Sequence, residues 1–132
     1  MLLPIWTGWL YGKGSKNYVD TMLTFSMLRR EISVVDDQIG CPTWTKDLCK
    51  EIINIMKENK PYGTYHLCSS GQASWADFTK KIFEIKKRNV SVTAIDKSDF
   101  PRPAKRPHYC VLSNNNSMPN WEESLEKYLV GK

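Results

Sequence analysis

Short apolar runs and amphipathic repeats alternate along almost the whole chain, and turn-forming residues separate each run from the next. Residues 2–11 form an apolar run that ends at the turn cluster Gly12-Lys13-Gly14-Ser15, and residues 16–30 then carry apolar side chains at helical spacing. Alternation of strands with helices is typical of domains in which helices cover a sheet. We therefore predict an α/β fold of the open α+β type.

Five strands and four helices are predicted. The strands cover 2–11, 32–35, 64–68, 90–95 and 109–112, and the helices cover about 16–30, 45–60, 74–88 and 119–130. Ser74 and Asp77 match a capping box, and Thr45 is the candidate N-cap of the second helix. The helix residues that we expect to face the core are Tyr18, Met22, Phe25, Leu28, Leu48, Ile52, Ile55, Met56, Phe78, Ile82, Ile85, Trp121, Leu125, Tyr128 and Leu129.

The length of the chain is enough for one core without disulfides or metal. A chain of 132 residues, 41% of them apolar, can bury roughly two thirds of the surface that its unfolded form exposes. Its five Trp, six Tyr and four Phe also argue against disorder. The four cysteines form no Cys-x-x-Cys pair, so we predict reduced, mostly buried thiols in a cytoplasmic protein, and no metal site.

The charge pattern gives weak support for an anionic ligand. The net charge of +5 comes from 19 basic and 14 acidic side chains. The most distinctive cluster is Arg102, Lys105 and Arg106, which three prolines hold in an extended loop. Because these cations do not interleave with aromatic residues, we expect no nucleic-acid binding. The apolar start of the chain is too short to cross a bilayer and lacks the basic residues of a signal peptide, so we expect no membrane contact.

The turn after the first strand is a candidate anion site. The Gly12-Lys13-Gly14-Ser15 cluster lacks the spacing of a P-loop and of the dinucleotide fingerprint. Lys13, Lys16 and Asn17 could still contact an anion at the start of the following helix.

Few other side chains indicate chemistry when each is judged alone. His66 is predicted to be a buried imidazole, and neither His66 nor His108 has an obvious Asp or Cys partner in the sequence. Trp9 and Trp44 each adjoin a loop rich in turn residues, where a ligand could enter. The residues taken singly therefore predict no more than an α/β domain with an anion site.

Four blocks of sequence occur in the order and with the spacing of one enzyme family. They are 7–12 with Asn17-Tyr18-Val19, 34–43 (VVDDQIGCPT) with Asp47-Leu48, 63–67 with Ser74-Trp75 and Phe78, and 102–107 leading to Leu112 and Asn114. Together they resemble the C-terminal half of the dTDP-4-dehydrorhamnose reductases, members of the extended short-chain dehydrogenase/reductase superfamily. The similarity covers the chain from about Ile5 onward.

The resemblance implies an activity and a division of the enzyme. The family uses NADPH or NADH to reduce the C4 ketone of dTDP-4-dehydro-L-rhamnose to dTDP-L-rhamnose. Its N-terminal Rossmann half binds the dinucleotide and carries a Tyr-x-x-x-Lys pair, and its C-terminal half holds the nucleotide-sugar. By this resemblance, residues 1–132 are a single C-terminal substrate-binding portion with a remnant strand and helix of the Rossmann-like sheet, and the dinucleotide-binding half is absent.

The resemblance also implies which residues bind the substrate. Trp9 matches a tryptophan that contacts the sugar-nucleotide, and Asn17 matches an asparagine near the diphosphate. The loop that contains Gln38, Pro42 and Thr43 would line the cleft, and cationic contacts to phosphate would come from the proline-rich loop. The seven implied substrate-binding residues are Trp9, Asn17, Gln38, Pro42, Thr43, Arg102 and Arg106.

The chain departs from the family pattern in two ways. Trp6 and Cys41 stand where the family has arginine and a small serine. No Gly-x-x-Gly-x-x-Gly occurs, and the Tyr-x-x-x-Lys formed by Tyr128 and Lys132 lies out of the family's order. We therefore expect no catalytic and no cofactor-binding residues, no NADPH or NADH bound to this chain alone, and no hydride transfer by it.

Two interpretations remain open. In the first, the chain is the nucleotide-sugar binding part of such a reductase, with a dTDP-sugar as ligand and the missing Rossmann half or a homodimer mate as protein partner. In the alternative, it is a non-catalytic regulatory or scaffolding relative that binds a protein partner, as the methionine adenosyltransferase beta subunit is within the same superfamily.

Overall fold

A computed structural model describes residues 4–14, 16–96, 108–112 and 118–130, and within them the chain forms four helices and eight short strands. The helices are α1 (Tyr18–Leu28), α2 (Thr45–Lys57), α3 (Trp75–Ile85) and α4 (Trp121–Val130). The strands are β1 (Ile5–Trp6), β2 (Leu10–Tyr11), β3 (Glu31–Val35), β4 (Ile39–Gly40), β5 (Thr43–Trp44), β6 (Tyr65–His66), β7 (Ala73–Ser74) and β8 (Ser91–Ile95). The predicted α/β fold is confirmed.

The strands pair two by two, mostly between segments distant in sequence. β1 pairs with β6, β2 with β5 and β3 with β8, all in parallel, whereas β4 and β7 are antiparallel. The longest ladder runs from Glu31 opposite Ser91 to Val35 opposite Ile95. The prediction of one continuous strand over 2–11 is wrong for the described residues 4–11. The extended backbone is interrupted between β1 and β2, where Trp9 takes a positive φ of 51°.

The main core lies between the helices and β3. The buried members of this cluster are Tyr11, Val19, Met22, Ile32, Val34, Ala73, Ala76, Phe78, Ile82, Phe83, Trp121, Leu125, Tyr128 and Leu129. A smaller second cluster of Leu48, Ile55, Leu67 and Met118 lies under α2. The single core expected from the chain length is therefore divided in two.

Two hydrogen bonds to carboxylates join the helices inside the fold. The Tyr128 hydroxyl of α4 donates to Asp20 Oδ1 of α1 at 3.0 Å, and the Ser124 hydroxyl donates to Asp47 of α2. Charge-assisted bonds of this kind are stronger than neutral ones. They fix α4 to α1 and to α2.

The helix starts follow local hydrogen bonding. The capping box at α3 is confirmed, since Ser74 Oγ accepts from Asp77 N at 3.1 Å and the Asp77 carboxylate accepts from Ser74 N. Thr45 is not an N-cap, because α2 begins at Thr45 itself and Trp44 occupies the cap position without a side-chain bond. The Thr45 hydroxyl instead packs against Gly12, where it leaves no room for a Cβ.

Several predicted core positions are exposed. Leu28 and Met56 are 76% and 66% exposed, because Leu28 ends α1 and Met56 is turned about 100° from the buried Ile55. His66 is also exposed, since it alternates along β6 with Tyr65 and Leu67, which pack in the second cluster.

The prediction for the cysteines holds for only half of them. All four thiols are free, but Cys41 and Cys68 are buried while Cys49 and Cys110 are exposed. Cys49 directly follows the buried Leu48 on α2 and therefore points about 100° away from the core.

Candidate functional site

The indole of Trp9 occupies a position that its neighbours define closely. It stacks on the Trp75 ring with centroids 3.7 Å apart and 12° between the planes. The indole also lies against Gly40, where an added Cβ would be 2.4 Å from Trp9 Cε2. The positive φ of Trp9 is rare for a bulky residue, and such strain is found mostly at binding and catalytic sites. We call Trp9, Gln38, Gly40 and Trp75 the Trp9 site.

The loop over 36–43 holds this arrangement by hydrogen bonds. Gln38 Oε1 accepts from Trp75 Nε1 at 3.2 Å, and the Thr43 amide donates to the Trp9 carbonyl at 3.0 Å. The Thr43 hydroxyl donates to the Cys41 carbonyl at 3.0 Å and accepts from the Ser69 amide at 3.2 Å. The loop therefore joins Trp9 to the segment between β6 and β7.

A cleft of about 1270 Å³ opens beside the Trp9 site. One wall comes from α1 and its C-cap, another from β3, and the remainder from the Trp9 site, Ile95 and Cys110. Its lining residues from α1 and β3 are Tyr18, Met22, Phe25, Arg29, Glu31, Ile32, Ser33, Val34 and Val35. An apolar and aromatic lining with few polar groups is typical of a small-molecule site.

The charged groups of the described cleft wall are Arg29 and Glu31. The Arg29 guanidinium lies 5.5 Å from the centroid of the Phe25 ring, a cation–π contact that holds it at the end of α1. Glu31 Oε1 accepts from Thr93 Oγ1 at 3.3 Å. Both charges therefore belong to the part of the wall formed by α1, its C-cap and β3, and the Phe25 ring lies beside Arg29.

Tyr18 supports the Trp75 ring and stays neutral. Its ring centroid lies 4.6 Å from that of Trp75, and its hydroxyl is 2.5 Å from Thr79 Oγ1. Thr79 Oγ1 donates to the Trp75 carbonyl, so Tyr18 is the donor to Thr79. Burial raises the pKa of Tyr18, an effect that the bond to Thr79 partly offsets. This phenol therefore packs beneath Trp75 and does not ionise near neutral pH.

Asn17 forms the N-cap of α1. Its Oδ1 accepts from the Asp20 amide at 3.0 Å, and its Nδ2 donates to the Gly12 carbonyl at 2.9 Å and to Asp20 Oδ2 at 3.0 Å. The Asp20 carboxylate thus places negative charge at the start of α1. This turn does not fit the phosphates of a dinucleotide, which need a glycine-rich turn and unblocked helix amides.

His108 lies beside Asp37, so the absence of an obvious Asp partner in the sequence was misleading. His108 Nδ1 is 3.0 Å from the Asp37 carbonyl oxygen and 3.9 Å from its carboxylate. His108 is exposed, and neither residue lines the cleft. The pair fastens the segment at 108 to the loop over 36–43 and gives no nucleophilic set.

The structure brings together only some of the predicted substrate-binding residues. Trp9 and Gln38 line the cleft. Pro42 and Thr43 are buried behind it, and Asn17 lies at the helix start described above. The predictions for Arg102 and Arg106 fall outside the described residues. Whether all seven contact a ligand stays a prediction.

Sequence reasoning missed two members of the Trp9 site. Trp75 directly follows the N-cap Ser74, and its residue type is most often found in cores, yet it forms the ring on which Trp9 stacks. Gly40 belongs to a turn-rich loop, and only its contact with the indole reveals why a side chain is excluded there. A glycine next to an apolar loop residue gives no signal of a close approach made by a distant tryptophan.

Among the residues that the structure describes, no helix is both long and apolar enough to cross a membrane. Within the same ranges, no three potential metal-ligating side chains come together.

The RmlD substrate binding domain family matches residues 3–130. The spore coat polysaccharide biosynthesis protein SpsK of Bacillus subtilis is 37% identical to the chain over 129 residues, which cover 93% of the chain and 45% of that protein. The chain spans about half the length of the curated relatives it matches.

Two solved structures have the same fold. A dTDP-4-dehydrorhamnose reductase from Clostridium acetobutylicum is 40% identical with a TM-score of 0.91, over 96% of this chain and 47% of that one. The dTDP-4-dehydrorhamnose reductase of Bacillus anthracis, solved in complex with NADP, is 40% identical with a TM-score of 0.86, over 97% of this chain and 47% of that one. These comparisons give no support to the alternative of a scaffolding relative.

Proposed function

Because the chain belongs to the RmlD substrate binding domain family, we propose that its cleft binds the nucleotide-sugar of a dTDP-4-dehydrorhamnose reductase. The ligand is then dTDP-4-dehydro-L-rhamnose or its reduced product, dTDP-L-rhamnose. The relatives named as such reductases support this assignment. Because the chain spans about half of their length, the reduction that the whole enzyme catalyses is likewise a proposal.

The observation that carries the proposal is the meeting of distant sequence blocks at one aromatic site. Trp9 comes from the first block, Gln38 and Gly40 from the second, and Trp75 from the third. The flat Trp9 indole, which stacks on the Trp75 ring, offers a platform for the apolar face of a deoxysugar or for a base. Apart from Arg29, Glu31 and Ser33, the cleft wall along α1 and β3 is mainly apolar, as the uncharged parts of such a ligand require.

The phosphates need a cationic partner. Arg29 is the positive group of the described cleft wall, and Arg102 and Arg106 are the cations that the resemblance implies. We assign the diphosphate to Arg106 with help from Arg102, because guanidinium groups bind phosphate in a bidentate manner. Asn17, Pro42 and Thr43 complete the proposed site, the last two by holding the loop that carries Gln38 and Gly40.

The reductase activity of the family needs a nicotinamide dinucleotide. The turn between β2 and α1 does not fit its phosphates, so no step through the dinucleotide is assigned to the residues described here. The proposed role of these residues is to bind and orient the nucleotide-sugar. We expect no NADPH consumption when the chain alone is mixed with NADPH and the keto-sugar nucleotide, and turnover under those conditions would show that the cofactor assignment is wrong.

The binding proposal is tested by calorimetric titration of the chain with dTDP-L-rhamnose, dTDP and UDP-glucose. We expect saturable binding of the dTDP ligands and weaker binding of UDP-glucose. Arg106→Ala should weaken dTDP binding by about 1.5–3 kcal/mol, the range for a hydrogen bond to a charged group. Arg88→Ala, at an exposed position away from the cleft, is the matched control. Equal affinity of wild type and Arg106→Ala would remove Arg106 from the site.

A further inference from the structure

Two of the four thiols meet behind the Trp9 site. Cys41 and Cys68 are 5% and 1% exposed, and the Thr43 hydroxyl bridges their segments, because it donates to the Cys41 carbonyl and accepts from the amide of Ser69, next to Cys68. Each thiol also lies near a carbonyl oxygen: Cys41 Sγ is 3.1 Å from that of Gly71, and Cys68 Sγ is 3.6 Å from that of Leu112. Both thiols therefore lie in the same buried layer of the fold, close enough for each to change the pKa of the other.

The contact makes the two thiols chemically unequal. The Cys68 thiol stabilises the Cys41 thiolate, which lowers the pKa of Cys41 below its ordinary value. The same contact, together with burial, raises the pKa of Cys68. A thiolate is the form of cysteine that attacks oxidants, and a neighbouring thiol can resolve the product to a disulfide.

We propose that Cys41 and Cys68 are a redox-active pair that closes to a disulfide and thereby weakens ligand binding at the Trp9 site. With hydrogen peroxide as oxidant, the Cys41 sulfur attacks one peroxide oxygen, the O–O bond breaks, and one water leaves as a sulfenic acid forms. The Cys68 sulfur then displaces the hydroxyl as a second water, and the S–S bond forms. The two thiols give up two electrons and two protons, and the peroxide is reduced to two waters.

The position of the pair connects this bond to the Trp9 site. Cys41 directly follows Gly40, whose contact with the Trp9 indole has no room for even a methyl group. The Cys41 carbonyl and the Ser69 amide, next to Cys68, both bond to the Thr43 hydroxyl. Drawing the two sulfur atoms into covalent contact removes both thiol donors and shifts these segments. Because the contact at Gly40 is already tight, the indole has to move with them.

The first arm of the test maps the bond and does not depend on the proposed function. The reduced chain is treated with hydrogen peroxide, alkylated under denaturing conditions and analysed by peptide mass mapping. We expect a Cys41–Cys68 link that makes the chain two hydrogens lighter and that dithiothreitol reverses. Cys41→Ser and Cys68→Ser should each abolish the link, and the matched control Cys49→Ser, at an exposed position, should retain it. The proposal would be overturned if Cys41 and Cys68 stayed free while the exposed Cys49 was oxidised. A link from Cys41 to Cys110 would overturn it as well.

The second arm measures the effect on the Trp9 site. Tryptophan emission should change on peroxide treatment of the wild type and not of Cys41→Ser, with thermal melting used to show that the variant is folded. An unchanged emission in wild type that carries the mapped link would refute the coupling.

The effect on binding rests on the proposed function, and the affinity for dTDP-L-rhamnose should fall about tenfold on oxidation. Equal affinities of the two forms would also refute the coupling. If the reduced chain binds no dTDP ligand, the proposed function fails, whereas the link and the emission change still decide the inference.

Discussion

The helical core and the Trp9 site are built in different ways. The core joins α1, α3 and α4 through side chains at helical spacing, such as Phe78, Ile82 and Leu125, and it is closed by caps and charge-assisted bonds. The Trp9 site joins single residues from three separate segments, across strands of only two residues, and it contains a positive φ and a glycine that cannot carry a side chain. Stability thus comes mainly from the first region, and the shape of the site from the second.

This difference predicts that the two regions respond differently to substitution. Removing core volume lowers the free energy of unfolding through a lost transfer term and a cavity. Changing the Trp9 site alters the position of one indole and hence the ligand affinity. Each of the following substitutions or conditions tests whether the two effects are separable.

The largest effect is expected for Leu125→Ala in α4. Leu125 is fully buried, and such truncations cost about 2–5 kcal/mol. Urea unfolding followed by circular dichroism measures this loss. Val130→Ala on the same helix, where the side chain is 79% exposed, should change the free energy of unfolding by less than about 0.5 kcal/mol. If Leu125→Ala, still folded, loses dTDP binding, the core and the site are not independent.

Gly40→Ala tests the close contact between residue 40 and the Trp9 indole. The new methyl would lie 2.4 Å from the Trp9 indole, so we expect dTDP affinity to fall at least about tenfold and the free energy of unfolding to fall by about 1–3 kcal/mol. Calorimetric titration and urea unfolding measure the two quantities. Gly63→Ala, where an added Cβ meets no atom within 4 Å, is the control. Unchanged binding in Gly40→Ala would mean that the contact does not position Trp9 for the ligand.

Alkaline pH should destabilise the core through Tyr11. Burial, with nearby Asp47 and Tyr128, raises the pKa of Tyr11 above its ordinary value of 10.0. The stability that this buried neutral phenol contributes is fully present below pH 10 and is lost as the pH rises above it. At about pH 11 the loss should be about 1.4 kcal/mol. Urea unfolding below pH 10 and at about pH 11 measures this loss of unfolding free energy. The loss should be smaller in Tyr11→Phe than in the wild type, and an equal loss would contradict this assignment.

The sequence predicts the core better than the site, for a physical reason. Helical periodicity and the Ser74–Asp77 capping box are local signals, so the start of α3 and the inward face of α4 follow from neighbouring residues, whereas α3 ends at Ile85, earlier than the predicted residue 88. The stacking of Trp9 on Trp75 depends on two segments that meet only after folding. Local patterns cannot report such a contact, and the resemblance to a family implied Trp9 and Gln38 as substrate-binding residues without showing what holds them.

Burial at helix edges was also misjudged from periodicity. Leu28 and Met56 fit an apolar repeat, but α1 ends at Leu28 and the buried face of α2 is centred on Leu48 and Ile55. The width of a buried stripe is set by what packs against the helix, which the repeat itself does not contain.

Titration of tryptophan emission with dTDP-L-rhamnose tests most directly the claim that Trp9 is the platform for the nucleotide-sugar. Wild type and Trp44→Phe should show a saturable change in emission with similar dissociation constants. Trp9→Phe should lose most of the change and bind at least about tenfold more weakly, a difference of about 1.4 kcal/mol. Binding by Trp9→Phe with the wild-type dissociation constant would contradict the claim.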